Sequence, residues 1–133
     1  MAFGTRNPAF HNGIERTNLR FTIFPQGAST TPYTEAAGTL IGSGGWVTSA
    51  NRTGVAGAYT CTLSSPARRA FASVQLCSSV VVDAFCRVVS ITNEGNPALP
   101  IVIRWDLIVA GALADLAAGA QERFMLDIDL ELV

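Results

Sequence analysis

Arg123-Phe124-Met125-Leu126-Asp127-Ile128-Asp129-Leu130-Glu131-Leu132-Val133 is the stretch that decides the fold. Phe124, Leu126, Ile128, Leu130 and Leu132 fall on one side of a two-residue period, and Met125, Asp127, Asp129 and Glu131 fall on the other. Successive side chains of a strand point to opposite faces, whereas a helix of 3.6 residues per turn would mix the two sets. The segment reads as a long strand with one apolar face and one acidic, wet face.

The same period recurs upstream. Ile101, Ile103, Trp105, Leu107 and Val109 share one face of a strand over 101–109. Leu19, Phe21 and Ile23 alternate with Arg20 and Thr22 until Pro25 stops the run. Between these lie short β-rich runs: 39–41, 46–53, 58–63, 70–77 and 84–92. Turn residues separate them. Gly54 to Gly57 closes a hairpin between the second and third of these runs, and Asn93-Glu94-Gly95-Asn96-Pro97 is a turn before residue 101. Residues 110–121, rich in alanine, place Leu113 and Leu116 three apart but contain Gly111 and Gly119. They read as a loop with room for one helical turn. Seven to eight short strands without βαβ spacing indicate an all-β antiparallel sandwich or barrel over 19–133. Residues 1–18 carry no period and read as an extended N-terminal arm, either a frayed terminus or a segment that orders on a neighbouring subunit with its isolated Phe3, Phe10 and Ile14 as anchors.

Composition narrows the function classes. The 133 residues suit one domain. Charged residues make up 14% of the chain and apolar ones 49%, against about 25% charged in an ordinary soluble domain. Some of that apolar surface is expected to be covered by other subunits. A net charge of −1, with Arg68-Arg69 as the one basic doublet, gives no footprint for nucleic acid. No apolar run approaches the roughly 18 residues needed to span a bilayer. The segment Met1 to Gly13 lacks the pattern of a secretory signal, so a cytosolic site of synthesis is expected.

Catalytic and metal chemistry have few residues to draw on. His11, the one histidine, lies in the arm, where no scaffold would hold it in a nucleophile–base pair. Asp127 and Asp129 form a carboxylate pair on the polar side of an amphipathic strand, which reads as a solvated face. The alternative is a weak calcium site completed by Glu131. Gly42-Ser43-Gly44-Gly45 lacks the Lys and Ser/Thr of a phosphate loop and reads as a turn. Cys61, Cys77 and Cys86 match no zinc spacing and read as small buried apolar residues. Cys77 and Cys86 are also placed to face each other across a hairpin centred near Val81-Val82. Trp105 reads as core. Trp46 reads as core or as a sugar-stacking residue, with Tyr33 the other rim candidate. No enzyme, cofactor or metal is expected.

Val47-Thr48-Ser49-Ala50-Asn51-Arg52-Thr53-Gly54 followed by Ala58-Tyr59-Thr60-Cys61-Thr62-Leu63 resembles a hairpin of small tailed-phage virion proteins. The stretch from Ala70 to Val89, the alanine-rich turn Ala114 to Gly119 and the alternating C-terminal strand extend the resemblance over roughly 19–133. The three cysteines and the longer arm depart from that pattern. The resemblance implies a β-rich capsid decoration (cement) protein. Such a protein would sit on the capsid exterior of the virion as a homotrimer and lock major capsid protein subunits together. In that setting Phe3, Phe10, His11, Ile14 and Leu19 are the expected contacts to coat protein or neighbouring subunits. The alternatives are a tail, collar or fibre-associated virion protein, and a carbohydrate-binding β-sandwich module.

Overall fold

The computed structural model describes the backbone of residues 6–11 and 14, and residues 15–132 in full. Ten strands follow one another, with no helix among the described residues: β1 (Arg6–His11), β2 (Ile14–Ile23), β3 (Leu40–Ile41), β4 (Val47–Arg52), β5 (Ala58–Leu63), β6 (Arg69–Cys77), β7 (Ala84–Thr92), β8 (Val102–Val109), β9 (Ala112–Leu113) and β10 (Arg123–Leu132). They form two five-stranded antiparallel sheets packed as a β-sandwich. One sheet runs β1-β2-β10-β6, with β3 beside β2; the other runs β4-β5-β8-β7, with β9 beside β8.

The alternation read from the sequence sets which side of each strand is buried. Phe124, Leu126, Ile128 and Leu130 of β10 and Ile103, Trp105 and Leu107 of β8 are all buried, facing each other across the sandwich. At the centre, the rings of Tyr59 and Trp105 stack at 5.8 Å. Phe124 of the opposite sheet meets Tyr59 edge-on at 4.7 Å and Trp105 at 5.9 Å. Such offset and edge-to-face pairs place the positive ring edge on the negative ring face.

Several expectations change. β2 begins at Ile14, and Glu15 to Asn18 pair with Leu132 to Asp129 of β10, so these residues belong to the sheet rather than to a separate arm. Residues 6–11 pair with β2 as strand β1. Hydrogen-bonding partners on β10, 109 or more residues away, order a segment whose own sequence shows no period. Residues 110–121 form no helical turn. Ala110 and Gly111 take positive φ (50° and 83°), and β9 then pairs with β8. Cys77 ends β6 in one sheet and pairs with Arg123, whereas Cys86 lies on β7 in the other and pairs with Leu107. These two strands do not form a hairpin ladder, and all three thiols are free.

Candidate interaction surface

Strand register arranges the outer face of the β2-β10-β6 sheet as rows. Arg16, Glu131 and Arg69 form one row, followed by Asn18, Asp129 and Phe71, then Arg20, Asp127 and Ser73, then Thr22, Met125 and Gln75. The acidic column of β10 is answered by β2. Arg16 donates to Glu131 at 3.1 Å, and the Arg20 Nε lies 3.3 Å from Asp127. The Asn18 amide donates to Asp127 and to Asp129 at 2.7 Å each. The expectation that Asp127 and Asp129 form a wet polar face therefore holds, with Asn18 tying the two together. Among the described residues, no group of three or more His, Cys, Asp or Glu is placed to hold a metal ion.

The opposite outer face is apolar at one end. Register places Phe85, Ile108 and Leu113 side by side, with Phe85 and Leu113 exposed. The β6–β7 loop, at the same end of β7, exposes Val80 and Val82, the latter at 80%. Glu122 shapes this loop from beneath. Its buried carboxylate accepts hydrogen bonds from the Ser78 hydroxyl, from Ser79 N at 3.1 Å and from the Ser79 hydroxyl at 2.9 Å. These donors, the Ser78 hydroxyl first, hold the Glu122 carboxyl below its ordinary range against the opposing effect of burial.

A third polar cluster locks the 110–121 segment onto the sandwich. Arg52, the buried last residue of edge strand β4, forks onto Asp115 through Nε (2.7 Å) and a terminal nitrogen (2.9 Å). Asp115 also accepts from Gly57 N at 2.8 Å. The Arg52 hydrogen bond is the main reason the Asp115 carboxyl lies below its usual range. One residue on, Leu116 is fully buried, and its N–H donates to the Tyr59 hydroxyl at 3.1 Å. Burial pushes the Tyr59 hydroxyl up to about 12 and raises Tyr33 further. This cluster is closed, with every charge paired, and its geometry suits a latch.

Leu19, expected at an interface, is 3% exposed and packs in the core, because β2 turns its odd-numbered residues inward. Phe3 lies outside the described residues. Phe10, His11 and Ile14 lie on described backbone at the β1–β2 hairpin, but their side chains fall outside the description. Trp46 and Tyr33, the two rim aromatics a saccharide module would need, are both buried. Trp105 is core, as expected. Phe71 and Phe85 were the exposed aromatics to find. The signal is phase: Ala70, Ala72 and Val74 occupy the inward positions of β6 and leave Phe71 pointing out, and Ala84, Cys86 and Val88 on β7 do the same for Phe85.

Comparison of the chain with known protein families, curated proteins and solved structures finds no match.

Proposed function

We propose that this chain is a structural subunit of a phage particle, decorating the icosahedral head by docking on major capsid protein and associating with itself as a trimer. The observation that carries the docking reading is the apolar row Phe85, Ile108 and Leu113, next to a loop that exposes Val80 and Val82. A lone domain gains nothing by holding these side chains in water, whereas finishing the burial of each would contribute on the order of 1 kcal/mol. Glu122 holds the loop in one shape, so docking costs little further ordering. The virion setting rests on the resemblance of the β4–β5 hairpin and the segments that follow it to phage virion proteins. A subunit that binds only the expanded shell stabilises it by mass action.

The test is co-sedimentation of the purified protein with expanded, genome-free heads, with unexpanded proheads as control. Binding in hundreds of copies to expanded heads alone is expected. Absence of binding to both would overturn the decoration reading, and a few copies per particle would move the chain to the tail.

A further inference from the structure

The outer face of the β2-β10-β6 sheet holds a cleft of about 280 Å³ lined by Arg16, Thr17, Asn18, Phe71, Asp129, Leu130 and Glu131. Its chemistry follows from one irregularity in the charge ladder. Glu131 faces Arg16 and Asp127 faces Arg20, each within ion-pair distance. Asp129, between them, faces Asn18 on one side and Phe71 on the other. Asn18 offers it a neutral amide hydrogen bond at 2.7 Å, and no ion pair to Asp129 is found among the described residues. Arg16 stands against Asp129 and Glu131 in the cleft lining, so these side chains sum to −1. The middle rung is thus an exposed carboxylate that makes no ion pair among the described residues, beside a phenyl ring that is 56% exposed.

We infer that this cleft receives an arginine side chain from a protein partner, its guanidinium paired with Asp129 and laid against the Phe71 ring. A planar guanidinium is weakly hydrated, stacks on an aromatic face and forks onto a carboxylate, and Asp129 next to Phe71 offers both contacts at once. A lysine ammonium would make the ion pair but hold its hydration more strongly. Asn18 keeps one Asp129 oxygen occupied and the carboxylate oriented, so the partner meets a preformed acceptor. The site lies on the sheet opposite the apolar Phe85 row, so it is a second contact. It rests on the reading that the chain docks on protein surfaces, and it names what one of those surfaces must present.

The experiment is an amide chemical-shift titration of the full chain with N-acetyl-arginine amide. N-acetyl-citrulline amide, its neutral counterpart, and methyl α-glucoside serve as comparison ligands. Saturable shifts confined to residues around Asn18, Phe71 and Asp129 are expected for the arginine ligand, with a Kd on the order of millimolar for a single side chain. They should weaken as sodium chloride is raised. Asp129→Asn and Phe71→Ala, both at exposed positions, should each weaken binding about tenfold with the melting temperature preserved. Arg20→Ala, outside the cleft, should leave it unchanged. Equal shifts with the citrulline ligand, shifts elsewhere, or no shifts would overturn the inference, and saturation by the glucoside alone would reassign the cleft to saccharides. The outcome is separable from the head-binding test. Heads that bind wild type and Asp129→Asn equally would remove this contact and leave decoration standing, while arginine binding without head binding would do the reverse.

Discussion

Tyr59 and Tyr33 bury the same hydroxyl group with opposite consequences, and replacing each by phenylalanine measures the difference. The Tyr59 hydroxyl accepts from Leu116 N at 3.1 Å in a fully buried site. In Tyr59→Phe the ring keeps its contacts to Trp105 and Phe124, but the Leu116 N–H loses its acceptor where water does not reach. Leaving a buried donor unsatisfied costs about 1–3 kcal/mol. The Tyr33 hydroxyl is also buried, but it has no hydrogen-bond partner among the described residues. Tyr33→Phe therefore removes a desolvated group and no bond, and stability should stay within about 0.5 kcal/mol or rise. Unfolding entropy of about 2.1 cal/mol/K per residue gives roughly 0.28 kcal/mol per degree for a chain this size. Tyr59→Phe should then melt about 4–11 °C below wild type, and Tyr33→Phe within about 2 °C of it or above. Differential scanning calorimetry, backed by urea midpoints, reads both. A loss for Tyr33→Phe as large as that for Tyr59→Phe would refute the reasoning, as would an unchanged Tyr59→Phe.

Gly57 sits at φ 72°, and a Cβ there would meet Ala114 N at 2.6 Å and Ala114 O at 2.9 Å, both backbone atoms. Gly57→Ala should cost about 3 kcal/mol or more, while Gly44→Ala, also at positive φ but with open space around it, should cost about 1–2 kcal/mol in chemical denaturation. Asp115 and Glu122 are both held below their ordinary carboxylate range, by Arg52 and by Ser78 respectively, so the folded state binds fewer protons than the unfolded chain. Their contribution is complete above the unfolded values near pH 4 and is lost as pH falls through the folded ones. Urea midpoints should decline below about pH 5, and Asp115→Asn with Glu122→Gln should flatten that decline. Burial pushes the Cys61 and Cys86 thiols up to about 12. At pH 8 the folded protein should therefore react promptly with a disulfide reagent at one thiol at most, and at all three once unfolded.

The side-chain period of two was enough to locate most strands, because it depends only on neighbouring residues. β5 and β7 fall where the alternation and turn residues put them, and β4, β6, β8 and β10 lie within a residue of the expected ends. Burial of Phe124, Leu126, Ile128 and Leu130 followed from the same rule. Phe71 was legible in principle, from the phase of small and large residues along β6. Its meeting with Asp129 was not, because the pairing of β6 with β10 joins segments about fifty residues apart. Only the tertiary structure decided that β10 lies between β2 and β6, that β6 and β7 belong to different sheets, and that residues 6–11 form an edge strand. It also turned Arg52, Asp115 and Glu122 from scattered charges into the latch and the loop anchor. An alternating strand offers the same backbone donors and acceptors to any neighbour, so its pattern does not name its partner. That choice falls to the packing of two whole apolar faces, to which every strand contributes at once.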